Sequence, residues 1–201
     1  MTNKLHETPQ LLIIAGPNGS GKSTIVEKIP NKPELYINAD DLVKKHGLDN
    51  LSAAIMADKL RQVALSKGVS FTTETVLSTP SKLELMKDAK AKGYEVNLVV
   101  VLTHDPDINV ERVKSRVSAG GHDVPAEKIV TRYYRFMDSF LAEAIRVADR
   151  ALVYNNSFEK PVLILSKAMD EKIEIYPQNY PSKWDFAALE ALRNKIGLGR
   201  E

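Results

Sequence analysis

Short strand-like segments alternate with helical patterns through the first half of the chain. Four segments predict strands: Leu11 to Ala15, Leu35 to Asn38, Val69 to Glu74 and Val96 to Leu102. A helical pattern follows each of them, beginning near Lys22, at Asp41 and again at Leu51, at Thr79 and at Asp105. Strand and helix therefore alternate four times, which is typical of a parallel sheet with right-handed crossovers.

The second half continues with helices and ends in a different pattern. Asp105-Pro106 predicts a helix start, Gly120-Gly121 its end, and Pro125 the start of a longer helix. The apolar positions of the longer helix recur at helical spacing: Ile129, Tyr133, Phe136, Met137, Phe140, Ala144 and Ile145. The remaining predictions are a fifth strand at Ala151 to Tyr154, a terminal strand pair at Val162 to Leu165 and Lys172 to Tyr176, and a helix from Trp184 to Lys195.

A glycine-rich motif directly follows the first predicted strand. Residues Gly16 to Ser23 match the phosphate-binding pattern G-x-x-x-x-G-K-[ST] at every fixed position. The predicted nucleotide-binding residues are Gly16, Pro17, Asn18, Gly19, Ser20, Gly21, Lys22, Ser23 and Thr24. The loop N–H groups and the helix dipole favour a phosphate, and Lys22 is expected to reach the outer phosphates. Ser23 is the predicted Mg²⁺ ligand, through its hydroxyl.

The chain also carries candidates for phosphoryl transfer, which needs an acceptor, a base for its proton and positive charge on the transferred group. Asp40 follows the second predicted strand, at the sheet edge where ligands bind in open α/β folds, and is the candidate base. N-capping of a helix from Asp41 to His46 is its alternative role. Glu74 ends the third predicted strand among threonines suited to a polar acceptor, although turn chemistry explains those threonines equally well.

A charged helix face supplies the candidate lid over the phosphates. Arg112 and Arg116 lie four residues apart in the helix that ends at Gly120-Gly121, and His122 follows directly. A solvated charged face is the alternative. The predicted fold is therefore α/β: a P-loop kinase-like three-layer sandwich with a central, mostly parallel sheet and a helical lid. We expect a single domain over 1–201, with the lid at about 105–124 and the terminal strand pair and helix at about 160–196.

Composition narrows the class of partner. The formal net charge is +2, which argues against a strong non-specific nucleic-acid binder because such proteins concentrate Lys and Arg. The chain has no cysteine, which excludes a disulfide framework and a thiolate metal site and suits a reducing cytosol. No signal-peptide pattern and no apolar run near the ~18 residues of a membrane span is present. We expect a cytoplasmic protein with neither nucleic acid nor membrane as partner.

Five motifs, in this order along the chain, resemble the small bacterial zeta-toxin family of kinases. They are AGPNGSGKST, INADDL, SFTTETVLS, the segment from Arg112 through GGHDVP to RYYR, and YNNS. The resemblance covers the chain from about Leu11 to Ser157 and implies a P-loop kinase that uses ATP and Mg²⁺. It further implies phosphorylation of a hydroxyl on a UDP-activated amino sugar such as UDP-N-acetylglucosamine, and a toxin held by a separate antitoxin protein.

The resemblance also implies roles for individual residues. By position, Lys22 matches the loop lysine, Asp40 the catalytic base, Glu74 the substrate-binding acid and Arg112 the first lid arginine.

Two positions depart from the family pattern. The second lid arginine of the larger toxins falls near His122, so Arg116 is expected to replace it and His122 to assist in binding substrate. Thr75-Val76-Leu77 fits the family's threonine-bearing stretch poorly, and Thr75 is carried over as its substrate residue. Two alternatives therefore stay open: a P-loop kinase with another acceptor (an antibiotic, a nucleotide cofactor or a nucleic-acid end), and a non-catalytic ATP-binding regulatory protein.

Overall fold

A seven-stranded sheet forms the middle of the structure, a computed structural model that describes residues 8–121, 123–176, 192 and 194–197. The strands are β1 (Gln10–Ala15), β2 (Tyr36–Ile37), β3 (Phe71–Thr75), β4 (Glu95–Leu102), β5 (Arg150–Asn155), β6 (Val162–Lys167) and β7 (Ile173–Ile175). They lie in the order β2-β3-β1-β4-β5-β6-β7. The pairs from β2 to β5 are parallel, and β5·β6 and β6·β7 are antiparallel. The sheet is thus mostly parallel, with the predicted strand pair at one edge.

Helices cover both faces of this sheet. They are α1 (Lys22–Val26), α2 (Ala39–His46), α3 (Asn50–Lys67), α4 (Pro80–Ala91), α5 (Pro106–Ser118), α6 (Ala126–Arg135) and α7 (Leu141–Val147). The larger core cluster includes Leu11 and Ile13 of β1 together with residues of α3, α4 and α7. Because side chains alternate across a strand, Leu12 and Ile14 belong to the smaller cluster on the other face, under α1. The helices therefore form two unequal layers around the sheet.

The start of α2 differs from the prediction. Asn38, which was expected in the second strand, is the N-cap of α2, and its side-chain oxygen accepts from Asp40 N–H at 3.1 Å. The helix begins at Ala39, so Asp40 lies in its first turn and does not cap it. Asparagine is among the residues that favour an N-cap, and an acid in the first turn complements the helix dipole. The capping role considered for Asp40 was therefore wrong.

The long helix predicted after Pro125 contains a π-helical turn. This turn spans Phe136–Phe140 between α6 and α7, and Leu141 N–H donates to Phe136 O. Such a turn holds an extra residue, so the core-facing position moves from Phe140 to Leu141. Phe136 and Leu141 are buried, whereas Met137 and Phe140 are only partly so. The predicted stripe is therefore correct before the turn and again after it, at Ala144 and Ile145, and differs from the structure only within the turn.

Helix α5 begins as predicted and ends away from the core. Asp105 accepts from Asp107 N–H at 2.8 Å and caps the helix, as the Asp-Pro pair predicts. Val113 is buried, but Val117, one turn further along the same side of the helix, is 36% exposed. The last turn of α5 thus projects beyond the apolar core, and Arg116 there is exposed.

Parts of the predicted tail and lid lie outside the described residues. Of the helix predicted from Trp184 to Lys195, only residues 192, 194 and 195 are described, and they are helical. Arg146 of α7 donates to the carbonyls of Lys195 and Ile196, which joins this helix end to the body. His122 lies outside the described residues. Within the described part of the chain, no helix is both long and apolar enough to cross a membrane.

Candidate active site

An open cleft of about 900 Å³ lies at the carboxyl ends of β1, β2 and β3. One wall is the loop between β1 and α1 with α5 and α6, and the other is built from α2, α3 and the segment from β3 into α4. We call these the loop wall and the acceptor wall. Ligands of open α/β sheets bind beyond the carboxyl ends of the strands, so the cleft has the position expected of a functional site.

The loop Gly16–Thr24 is shaped by backbone contacts that only glycine permits. Gly19 has φ +78°, and a Cβ atom there would lie 2.5 Å from Asn109 O. A Cβ on Gly16 would lie 2.0 Å from Val101 O. A side chain at either position would force backbone atoms apart. The glycines of the motif therefore allow the loop to lie directly against β4 and α5.

Three side chains outside the motif hold this loop in place. Asn109 of α5 is fully buried and donates to Asn18 O at 2.7 Å. Asn156, after β5, donates to Ser20 O at 2.8 Å, and Arg132 of α6 donates to Asn18 Oδ1 at 3.2 Å. The sequence prediction missed all three. The available signal was Asn109, a polar residue one turn before the buried Val113 on the same helix face.

Lys22, the lysine of the loop, has a pKa well below the usual range of a lysine. Its Nζ donates to Gly16 O at 2.8 Å and to Pro17 O at 3.0 Å, so the side chain folds back over the loop. Burial lowers the pKa of Lys22 to about 8, against the opposing effect of the Glu74 and Asp40 carboxylates. A neighbouring cation, Arg116, lowers it further. The phosphate-binding loop therefore holds a lysine that a bound anion would stabilise in its charged form.

Both predicted lid arginines line the cleft. Arg112 donates to Asn156 O at 2.7 Å and so joins α5 to the residue that holds Ser20. Arg116 lies one turn further on, and Gly121 packs against its aliphatic stem, where a Cβ would come within 2.5 Å of Arg116 Cγ. Lys128 and Arg132 of α6 line the same side of the cleft. The loop wall is thus strongly cationic, as a triphosphate site requires.

Glu74 reaches the loop across the floor of the cleft. Its carboxylate accepts from Tyr36 OH and, at 3.4 Å, from Ser23 Oγ. Asn38 in turn donates to Tyr36 OH at 3.3 Å. Burial and the hydrogen bond to Glu74 raise the pKa of Tyr36, so it stays a donor at all ordinary pH values. Glu74 is therefore oriented by Tyr36 and adjoins the predicted metal ligand Ser23.

Asp40 lines the cleft from the first turn of α2, close enough to Lys22 to affect its pKa. Thr75 also lines it, but its hydroxyl accepts from Leu77 N–H at 2.9 Å. Thr72 and Thr73 donate to the carbonyls of Pro33 and Ile37. The threonines around Glu74 thus make the turn and strand contacts that were the alternative to acceptor binding.

The acceptor wall holds a charged cluster that the sequence prediction missed. Arg61 of α3 is 4% exposed and donates to Asp58 Oδ1 at 2.5 Å and to Thr73 Oγ1 at 3.1 Å. Lys82 of α4 donates to the same Asp58 oxygen at 2.6 Å. All three charged side chains line the cleft. On sequence alone they are ordinary charges of two helices, and only the fold brings Lys82 of α4 to Asp58 of α3.

A family model described as zeta toxin matches residues 1–180. The chain belongs to the zeta-toxin family, which confirms the resemblance drawn from five sequence motifs. An uncharacterized protein of Haemophilus influenzae is 30% identical over 127 residues, which are 61% of this chain and 91% of that protein.

Two solved structures have a similar fold. One is a chain of the PezAT chromosomal toxin–antitoxin system of Streptococcus pneumoniae, with a TM-score of 0.61 and 17% identity. The match covers 97% of this chain and 88% of the PezAT chain. The other is a chain of the AvrRxo1-ORF1:-ORF2 complex with ATP, with a TM-score of 0.67 and 14% identity. The match covers 94% of this chain and 72% of the other chain. The predicted α/β three-layer fold is confirmed. Family and fold together support a P-loop kinase that binds a nucleotide.

Proposed function

We propose that this zeta-toxin family member is an ATP-dependent kinase that phosphorylates a hydroxyl of a UDP-activated amino sugar such as UDP-N-acetylglucosamine. The observation that most supports this proposal is that cationic residues and a carboxylate lie on different walls of the same cleft. Lys22 and Arg116 lie on the loop wall, and Asp40 lies on the acceptor wall near enough to influence Lys22. Phosphoryl transfer needs this arrangement of positive charge on one side and a base on the other.

Each residue has a chemical task in this proposal. The loop N–H groups and Lys22 bind the outer phosphates of ATP, and Arg112 and Arg116 stabilise negative charge that develops on the transferred group. Asp40 accepts the proton of the attacking hydroxyl. Glu74 contacts the acceptor, and the Thr75 hydroxyl, which accepts from Leu77 N–H, donates its own proton to it, with His122 as a further donor. The last turn of α5 closes over the phosphates and excludes water.

Magnesium fits the oxygen donors beside the loop. Mg²⁺ prefers oxygen ligands, retains several waters and binds through one or two protein groups together with the substrate's phosphates. The Ser23 hydroxyl and the Glu74 carboxylate, 3.4 Å apart, are such groups. No cluster of three or more His, Cys, Asp or Glu suited to a metal occurs among the described residues. Ser23 and Glu74 would hold the ion, which would neutralise charge on the phosphates of ATP.

We further propose that the protein is the cytoplasmic toxin of a toxin–antitoxin pair. The support is family membership, together with two structural neighbours that are described with partners: PezAT as a toxin–antitoxin system, and AvrRxo1-ORF1 in complex with ORF2. The partner of this chain would be a separate antitoxin protein.

The deciding experiment incubates the protein with MgATP and single acceptors: UDP-N-acetylglucosamine, other UDP-sugars, an aminoglycoside, a dinucleotide cofactor and a 5′-hydroxyl RNA. We expect ADP and a product heavier by one phosphate only with a UDP-amino sugar, and neither product with the Lys22→Ala variant. Transfer to another acceptor would keep the kinase and replace its substrate. ATP binding without transfer to any acceptor would favour the regulatory alternative.

A further inference from the structure

The Arg61 cluster, defined as Arg61, Asp58 and Lys82, lines the acceptor wall but has no part in the proposed transfer step. Two cations share a single carboxylate oxygen, Asp58 Oδ1, at 2.5 and 2.6 Å. The cluster therefore has a surplus of one positive charge beside the cleft.

Burial makes this surplus costly. Arg61 is 4% exposed, the Lys82 side chain is 19% exposed, and Arg61 Nε is buried with no hydrogen-bond partner among the described residues. Buried cations are unfavourable unless paired and hydrogen-bonded, and here one carboxylate serves both. A guanidinium with an unused donor, next to a second cation, is a group that an anion would stabilise.

Asp58 differs from the cations it joins. Its side chain is 57% exposed, so it lies at the mouth of the cluster while Arg61 lies within it. Burial raises the pKa of Asp58, but the hydrogen bonds and charges of Arg61 and Lys82 outweigh burial and hold that pKa below its usual range. Asp58 is therefore ionised at neutral pH and can rotate toward solvent without leaving a cavity in the core.

A purely structural ion pair explains part of this arrangement. The pair of Arg61 and Asp58, three residues apart on α3, would stabilise the helix surface. It does not explain why Arg61 is buried, why it also binds Thr73 of β3, or why Lys82 of another helix converges on the same oxygen. Two cations from two helices thus converge on one anionic atom, an arrangement that a bound anion would also satisfy.

We propose that the Arg61 cluster is the subsite for a phosphate or diphosphate group of the acceptor, and that Asp58 holds the two cations in position until that group binds. This rests on the proposed function, because the acceptor is assumed to bind in the same cleft. It restricts the acceptor to a phosphorylated or diphosphate-linked molecule whose hydroxyl lies toward Asp40. An uncharged sugar or aminoglycoside would lack the group that this subsite recognises.

Calorimetric titration with the loop already occupied tests this subsite. The full chain is first saturated with Mg²⁺ and an ATP analogue that cannot be hydrolysed. It is then titrated with UDP-N-acetylglucosamine or with N-acetylglucosamine. Lys82→Gln should weaken binding of the UDP-sugar by about tenfold or more, because a charge-assisted contact to the diphosphate is lost. Asp58→Asn should strengthen it, since the competing carboxylate charge is removed. Binding of N-acetylglucosamine should change in neither variant.

Lys59→Gln is the matched control, because Lys59 is an exposed lysine of α3 outside the cleft. Equal affinities of Lys82→Gln and Lys59→Gln for the UDP-sugar would overturn the proposal. Thermal unfolding of each variant verifies that the fold is retained. Lys82→Arg should recover part of the affinity, which a loss of packing alone would not predict.

Titration with inorganic pyrophosphate tests the anion subsite independently of the proposed UDP-sugar acceptor. Suppose that pyrophosphate binds to the analogue-saturated protein, that this binding depends on Lys82, and that no UDP-sugar binds. The anion subsite would then be supported, and the proposed acceptor would be wrong. If neither pyrophosphate nor any UDP-sugar binds under these conditions, the anion subsite itself is wrong.

Discussion

The two walls of the cleft are built in opposite ways. The loop wall is centred on the backbone of one continuous segment, Gly16–Thr24, and side chains of α5 and α6 complete it. The segment lies so close to β4 and α5 that a Cβ on Gly16 or Gly19 would collide with a carbonyl oxygen. The acceptor wall is made of side chains from α2, β3, α3 and α4. In its Arg61 cluster, the charged groups are held by one another.

Under the proposed function, this difference separates binding of a common donor from choice of an acceptor. A backbone loop can change little without losing its shape, so it suits a triphosphate that all kinases share. Side chains from separate elements can be replaced one at a time, which suits specificity. Changes in the loop wall should therefore affect turnover with every acceptor, and changes in the acceptor wall should depend on the acceptor.

Lys22→Ala should have the largest effect on turnover, about 10³-fold, because it removes a cation from the group on which charge develops. Nucleotide should still bind, since the loop N–H groups remain. Turnover and calorimetric affinity, measured side by side, check this. The loop would not be the working site if turnover stayed within about tenfold of the wild type, an effect too small for a removed transition-state donor.

Asp40→Asn should lower transfer by about 10²-fold with little change in ATP affinity, because a positioned base typically contributes that much. Asp41→Asn is the matched control, one residue further along α2 and not among the residues that line the cleft. Single-turnover kinetics with saturating ATP measures the step directly. A larger effect at Asp41 would move the proposed base by one residue.

The loop and α5 could be predicted because their signals are local. Nine consecutive residues specify the phosphate loop, and an Asp-Pro pair specifies the cap of α5. Burial depends on where the sheet ends, which explains why Val117 is exposed although Val113 is buried. On α3 the alanines Ala53, Ala57 and Ala64 face the core, while Ile55 and Leu60 are exposed, so apolar size alone misleads. Arg61 lies on that inner face and could not be identified from sequence.

Arg116→Ala should reduce turnover by roughly tenfold to 10²-fold, less than the loss of Lys22, because Arg112 remains in the cleft. Arg116→Lys should not restore the rate, since an ammonium lacks the planar fork of a guanidinium. Rates and ATP affinities of both variants distinguish lid action from a solvated helix face. Near-normal turnover in Arg116→Ala would return α5 to the latter interpretation.

The pKa of Lys22 predicts how nucleotide affinity depends on pH. Burial lowers this pKa to about 8 in the free protein, and a bound triphosphate favours the charged lysine. Lys22 is mostly charged at pH 7 and mostly neutral at pH 9, so ATP affinity should fall by about tenfold between these values. Calorimetry across this range measures the change. Lys22→Met should show a flatter profile, and an equal decrease in that variant would assign the effect to another group.

The smallest effect tests whether the two walls are linked at Glu74. Tyr36 OH donates to one Glu74 oxygen, and Ser23 donates to the other at 3.4 Å, so Tyr36 is a positioning residue that acts through Glu74. Tyr36→Phe keeps the ring and removes this donor, which should cost about 1 kcal/mol, equivalent to roughly fivefold. If Glu74 helps to hold Mg²⁺, the variant should need more Mg²⁺ for half-maximal ATP binding while its KM for the acceptor stays constant. If Glu74 binds the acceptor instead, the acceptor KM should rise and the Mg²⁺ requirement should not.

Glu74→Gln should change the same one of these two quantities, the Mg²⁺ requirement or the acceptor KM, by a larger factor, because the carboxylate charge is removed. If neither Tyr36→Phe nor Glu74→Gln altered either quantity, Glu74 would have no part in binding the metal or the acceptor.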